Sequence, residues 1–274
     1  GIPADCRTMV VVPTLLASSD ELNSLLQDLE LHYLRNPDPQ LTFALLTDFA
    51  DAEAQLVPED EQLLARARAG VEGLNRKYAK SSPFYLFHRE RAWNPSEGVW
   101  MGWERKRGKL AEFNRLLLDT GPTSYTSQVG ELDILHDIKY VITLDADTDL
   151  PRDAAAGLVG TLAHPLNQPE LDPARQRVTR GHAIIQPRVG TLPSSSRRTR
   201  FAALLSGASG IDPYTTAVSD AYQDLFDAIT GDERVAPHLH LSLQHGDDMI
   251  LKRMKRRHSR ADAIALCGRL KEAR

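Results

Sequence analysis

The sequence predicts an α/β fold whose mostly parallel sheet is flanked by helices. Three observations carry this: short runs apolar on both faces, helix-period segments between them, and spacings long enough for a crossover between successive strands. Thr8-Met-Val-Val-Val-Pro13 is the first such run, the pattern of a buried parallel strand. Ser18 and Glu21 read as a capping-box pair, and Leu22, Leu25, Leu26, Leu29 and Tyr33 follow on one helical face. The run 41–46 is a second strand ending at Thr47-Asp48. Pro58 and the acids at 59–61 open a second helix, with Leu63, Leu64, Ala67, Val71 and Leu74 as its apolar face. Phe84-Tyr-Leu-Phe87 reads as a third strand, 104–118 as a basic amphipathic helix, and 139–144 as a fourth strand running into Asp145. Residues 154–164 read as helix and Gly181-His-Ala-Ile-Ile-Gln-Pro187 as another strand. The signals then change to a loop at 193–198, helical stretches near 200–208 and 216–228, and a helical tail from 246.

With 274 residues, 42% of them apolar, the chain can bury a sizeable core. A net charge of −4 excludes an overall basic nucleic-acid binder. The charge is uneven, because residues 250–274 carry a local +7 and leave −11 on the rest. Cys6 and Cys267, at opposite ends, exclude a disulfide scaffold and a cysteine zinc cluster. The apolar stretches around 9–16 and 140–146 are too short to span a membrane. No secretory leader is visible and the first residue is Gly1, so the chain is expected to be part of a larger protein.

Open α/β sheets bind ligands at the carboxyl ends of their strands. The polar residues expected there are Thr14, Asp48 with Asp51, His88 with Arg89, Asp145 with Asp147, and Gln186 with Arg188. No dinucleotide fingerprint and no Walker loop is present. Asp145-Ala-Asp147 directly follows an apolar strand, and a turn there can bring both carboxylates to one Mg²⁺ or Mn²⁺ bridging substrate phosphates. The alternative is an ordinary turn with solvated acids. Asp48 can accept from ribose hydroxyls or a base, or simply cap a helix. The cations of Glu104-Arg-Lys-Arg-Gly-Lys109 stand at a helix start, where the macrodipole disfavours them unless an anion lies nearby. Trp93, Trp100 and Trp103 precede that helix, either as sugar-stacking rings or as a small satellite core. The histidines show no metal spacing.

Val11-Val-Pro-Thr-Leu15, Phe43-Ala-Leu-Leu-Thr-Asp48, Trp100-Met-Gly-Trp-Glu-Arg-Lys-Arg-Gly-Lys-Leu110, Phe113-Asn114, Ile142-Thr-Leu-Asp-Ala-Asp-Thr148, His164-Pro-Leu-Asn167, Gln186-Pro-Arg188, Ile211-Asp-Pro-Tyr214 and Ser219-Asp-Ala-Tyr-Gln-Asp-Leu-Phe226 resemble the glycosyltransferase domain of cyclic β-1,2-glucan synthases, glycosyltransferase family 84. The resemblance covers residues 1–226 and leaves 227–274 as a divergent basic tail. It implies a GT-A-like nucleotide-sugar fold and an inverting glucosyltransferase using UDP-glucose to build β-1,2-glucan. It further implies a place on the cytoplasmic face of the bacterial inner membrane. The partners it implies are UDP-glucose, a glucan acceptor and the transmembrane and phosphorylase-like regions of the same polypeptide, with no nucleic acid. By the same likeness Asp48 would hold the uridine, and Asp145 and Asp147 would engage the diphosphate through Mg²⁺ or Mn²⁺ as a DxD motif. Lys109 would approach the phosphates, Thr14 would contact the donor, and Gln186 and Arg188 would line the donor or acceptor side.

The family continues past Phe226 with a Gly-rich stretch and a Ser-His-Asp motif expected to hold the base. This chain instead reads Asp227-Ala-Ile-Thr-Gly-Asp-Glu-Arg-Val235 and then the basic tail. Asp220 and Asp224 are the remaining candidates for the base. Two other readings follow: a donor-binding fragment without turnover, and a module that binds nucleic acid or anionic lipid through its tail.

Overall fold

The computed structural model describes residues 1–79, 81–174 and 177–187. Its elements run β1 (Thr8–Leu16), α1 (Ser19–Arg35), β2 (Leu41–Phe49), α2 (Pro58–Lys77), β3 (Phe84–Arg89), β4 (Ala92–Asn94), β5 (Val99–Met101), α3 (Arg105–Leu118), β6 (Tyr125–Val129), β7 (Tyr140–Thr143), α4 (Ala154–Ala163), β8 (Glu170–Asp172) and β9 (Arg177–Arg180). Two compact units divide the chain, Gly1–Gln168 and Pro169–Arg274.

In the first unit the sheet order is β6-β3-β2-β1-β7. β2 and β7 flank β1 in parallel and β3 pairs parallel with β2, while β6 closes that side antiparallel. The α/β class with a mostly parallel sheet is thus observed. The pleat explains the two-sided apolar runs. Val10, Val12, Phe43, Leu45, Phe84 and Leu86 pack with Leu22 and Leu29 of α1, Ala67 and Val71 of α2, and Ala155 and Val159 of α4. Met9, Val11, Ala44, Leu46, Tyr85 and Phe87 form a second core with Phe113 and Leu117 of α3 and with Tyr125. Each Val, Leu, Met or Phe side chain among these contributes about 1.5–3 kcal/mol by leaving water, so both faces of the central strands are fixed.

Local signals set the helix ends. Ser18 Oγ accepts from the Glu21 N–H at 3.2 Å, starting α1. At α2, Asp60 accepts from the Val57 N–H at 2.9 Å, with Pro58 beside it in the first turn. The β4–β5 hairpin and β6 lie outside the sequence expectation. In β6 only alternate residues are buried, and Thr126, Ser127 and Gln128 hide the pattern. Residues 181–187, expected as a strand, form none, and Ile184 is 86% exposed. An apolar run becomes a strand only where a neighbour supplies its ladder, and none does so among the described residues.

In the second unit, β8 and β9 pair antiparallel, with Asp172 opposite Arg177. The expected helices at 200–208, at 216–228 and in the tail from 246 lie outside the described residues. Among the described residues no helix is long and apolar enough to cross a membrane.

Candidate functional site

Parallel pairing brings chemistry to the carboxyl edge of the sheet. Thr47 lies opposite His88 in the β2–β3 register, so Asp48 and Arg89, one residue on, both turn to the α3 side. Arg89 is fully buried and Asp48 is 2% exposed. Arg89 Nε donates to Asp48 Oδ1 at 2.7 Å and Nη2 to Oδ2 at 2.9 Å, a bidentate fork. The other donors reach the carbonyls of Trp103 and Arg105, each at 3.1 Å, and Glu112 Oε1 at 3.4 Å. Each of the five N–H donors of the guanidinium thus has a partner, which offsets the cost of burying the charge. Lys109 Nζ stands 3.1 Å from Asp48 Oδ2 and also donates to the Thr14 carbonyl. Burial drives the Lys109 pKa below its ordinary value, against the pull of Asp48. Glu112 accepts from the Ser124 N–H at 2.7 Å and its hydroxyl at 2.6 Å. The Tyr125 hydroxyl donates to the Lys109 carbonyl at 2.8 Å, and burial raises its pKa. Asp48, Arg89, Lys109 and Glu112 therefore form a neutral, buried quartet.

The segment leading into α3 is moulded onto this quartet. A Cβ on Gly102 would collide with Asp48 Oδ2 and stand 3.0 Å from Arg89 Nη2. A Cβ on Gly108 would collide with the Trp103 carbonyl. Glu104 and Arg105 are both left-handed, with φ of 52° and 47°. Such residues cost about 1–3 kcal/mol each, and here Arg89 holds the carbonyls on either side of Glu104. The cations of the helix start meet protein acids: Arg105 with Asp51 at 2.9 Å and Glu97 at 2.8 Å, Arg107 with Glu104 at 2.8 Å, and Lys106 with Asp145.

Asp145 and Asp147 follow β7, where the Thr148 N–H closes a turn on the Asp145 carbonyl at 2.9 Å. Asp145 is half-buried and carries Lys106, while Asp147 is exposed. No group of three or more His, Cys, Asp or Glu side chains suited to a metal occurs among the described residues. Asp145 and Asp147 supply carboxylate oxygens, the donor type that Mg²⁺ and Mn²⁺ take. Such ions, Mg²⁺ above all, are commonly held by one or two carboxylates and complete their shell with phosphate oxygens and water.

On the opposite face, His88 Nδ1 shares a hydrogen bond with Thr47 Oγ1 at 2.9 Å, and its ring meets Phe49 edge-on at 4.1 Å. Its Nε2 is buried without a hydrogen-bond partner. Burial pushes the His88 pKa down to about 4. Arg91 packs over Phe49 at 4.9 Å and pairs with the buried Asp60.

The structure thus brings Thr14, Asp48, Arg89 and Lys109 together, and α3 links Asp145 to them through Lys106. Gln186 is exposed in the second unit, and Arg188, Asp220 and Asp224 lie outside the described residues. Glu112 and Tyr125 are site neighbours that sequence reasoning missed, while Lys106 is one of the helix-start cations it singled out. Glu112 carried a signal, an acid one turn beyond Lys109 and next to Phe113 on the buried side of a basic helix.

No family model matches the chain. Cyclic beta-(1,2)-glucan synthase NdvB of Rhizobium meliloti is 45% identical over 228 residues, which cover 82% of this chain and 8% of that protein. Threonylcarbamoyladenosine tRNA methylthiotransferase MtaB of Rickettsia prowazekii is 51% identical over 57 residues, 21% of this chain and 14% of that protein. A tRNA-2-methylthio-N(6)-dimethylallyladenosine synthase of Jannaschia is 38% identical over 79 residues, 29% of this chain and 17% of that protein. The chain therefore spans only a small part of each relative.

Proposed function

The chain is related over most of its length to cyclic β-(1,2)-glucan synthase, and on that premise we propose that residues 1–226 are a glucosyl-transferring segment with a GT-A-like fold. The observation that supports this most is the reach of α3. Lys106 and Lys109, one helical turn apart, end on Asp145 beyond β7 and on Asp48 at β2. One helix thus serves both acid-bearing strand ends, over which a nucleotide diphosphate sugar would lie.

In this reading the donor is UDP-glucose. The uridine packs over the end of β2, and Asp48 and Thr14 form the floor of its site through Lys109. Lys106, half-exposed beside Asp145, meets the diphosphate, with Lys109 behind it. Asp145 and Asp147 would hold Mg²⁺ or Mn²⁺, which when bound offsets charge on the departing diphosphate. By likeness to the family, Gln186 and Arg188 would line the donor or acceptor side.

The donor is α-linked and the product β-linked, so the anomeric carbon inverts. A single in-line displacement achieves this when a carboxylate takes the proton of the attacking 2-hydroxyl. Asp220 and Asp224 are the candidates for that base. The glucan acceptor, the remaining synthase polypeptide and a setting at the cytoplasmic face of the inner membrane belong to the same proposal.

Calorimetric titration of UDP-glucose with and without Mn²⁺, followed by an assay for glucose release or transfer, tests it. Metal-dependent binding with turnover is expected if Asp220 or Asp224 serves as base. Binding without turnover identifies a donor-site fragment. Absence of binding by a folded sample overturns the reading.

A second reading concerns the tail. The glucan-synthase motifs stop at Phe226, and residues 250–274 carry a local +7. We infer from this charge that the tail can contact nucleic acid or anionic lipid. Such contact would appear as binding that weakens steeply with salt. Salt-insensitive binding or none would overturn this second reading.

A further inference from the structure

The three tryptophans divide into two groups. Trp103 is 45% exposed but is tied down by its neighbours: its backbone lies against Gly108, its carbonyl accepts from Arg89, and the Arg115 guanidinium covers its ring at 5.5 Å. The side chains of Trp93 and Trp100 pair with each other instead. They are direct cross-strand partners on β4 and β5, so both stand on one face of the hairpin. Their centroids are 5.8 Å apart and their planes tilted by 58°, and Trp93 is 50% exposed. Met101, on the opposite face, is buried.

The hairpin is held firmly. Asn94 Oδ1 accepts from the Ser96 N–H at 3.0 Å, and Gly98 turns at φ 67° to donate to the Asn94 carbonyl at 2.8 Å. Trp100 and Ala52 exchange both backbone hydrogen bonds at 2.9 Å, tying β5 to the segment after β2. One residue past β5, Gly102 touches the Asp48 carboxylate. Two indoles are therefore presented at a fixed position beside the candidate donor site, flanked by the Glu97–Arg105–Asp51 ion cluster.

We propose that the outward face of the β4–β5 hairpin is a glucan-binding platform that holds the chain receiving glucose. The C–H faces of a pyranose stack on the indoles of Trp93 and Trp100, while the Glu97, Arg105 and Asp51 side chains meet ring hydroxyls. The proposal rests on the glucosyl-transfer reading and adds a subsite to it. Two neighbouring indoles with centroids 5.8 Å apart suit successive residues of an extended saccharide better than a single sugar.

The test titrates a linear β-1,2-gluco-oligosaccharide into the full chain, read by intrinsic fluorescence and by calorimetry, with UDP-glucose titrated separately. The chain has only three tryptophans, so emission reports on this region. Trp93→Ala is expected to weaken oligosaccharide affinity by roughly tenfold, Trp93→Phe by less, and neither to change UDP-glucose affinity. Unaltered oligosaccharide affinity in Trp93→Ala overturns the platform. So does UDP-glucose binding without any oligosaccharide binding, an outcome that leaves the donor reading intact. Loss of UDP-glucose binding by a folded wild-type chain fails the donor reading instead, and an oligosaccharide response sensitive to Trp93 would then still support a glucan-binding face.

Discussion

Arg89 holds both oxygens of Asp48, at 2.7 and 2.9 Å, from adjacent parallel strands in a place where neither side chain meets water. The pair sits at the centre of the buried quartet and turns the carboxyl ends of β2 and β3 into one rigid piece. Its net worth is smaller than its geometry suggests, because desolvation offsets much of the attraction. Removing one partner is a different matter, since an uncompensated charge remains buried.

Arg89→Met is therefore expected to destabilise the chain by about 3–5 kcal/mol in urea unfolding. Asp48→Asn in the same background should restore part of the loss. Additive losses in the double variant would show that the two residues are not coupled.

Gly102→Ala places a methyl group on the Asp48 carboxylate. A loss of about 1–3 kcal/mol is expected, together with weaker UDP-glucose binding, whereas Gly157→Ala, with open space around it, should stabilise or leave α4 unchanged. Equal effects at both glycines would contradict the close approach at Gly102.

Lys106 and Lys109 should separate by phenotype. Lys106→Ala, at a half-exposed position, is expected to change stability by no more than about 0.5 kcal/mol while weakening UDP roughly tenfold or more and leaving glucose alone. Lys109→Met should lower the unfolding midpoint as well. Parallel losses for UDP and glucose in Lys106→Ala would remove it from the diphosphate.

Asp147→Ala should abolish the Mn²⁺-dependent part of UDP-glucose binding with the circular dichroism spectrum unchanged. Unaltered metal dependence would take Asp147 out of the site.

His88 gives the fold a pH dependence. Its folded pKa, pushed down to about 4 from the ordinary 6.5, keeps it neutral where an unfolded chain already binds a proton. Stability is complete above pH 6.5 and falls as pH drops toward 4, by about 3 kcal/mol from this group. Burial shifts His32 in the same direction. His88→Gln should flatten the profile measured by urea unfolding across this range, and an unchanged slope would assign it to other groups.

The parts of this architecture legible in sequence are those where one physical signal dominates. The two-sided apolar runs of β1, β2 and β3 announce buried parallel strands, and Ser18 and Pro58 mark helix starts. The β4–β5 hairpin is not legible in sequence although Asn94-Pro-Ser-Glu-Gly98 is a turn signal, because three-residue strands carry too little alternation to register. Asp48, Arg89 and Asp145 could be placed at one edge from strand ends alone, whereas Lys109 stands on α3. Their mutual pairing could not, since it depends on the β2–β3 register and on how α3 crosses the sheet. Lys106 on Asp145 and Glu112 on Arg89 are contacts of that crossing.

β7 is ladder-bonded along one side only among the described residues, through four register pairs with β1. Asp48 hangs from a strand paired on both sides, Asp145 from this selvedge. The two halves of the site should thus differ in compliance, with amides of 140–143 exchanging with solvent sooner than those of 43–47. A ligand reaching from one half to the other would act as a splint. Its binding should slow exchange most at β7, where the backbone otherwise has the least company.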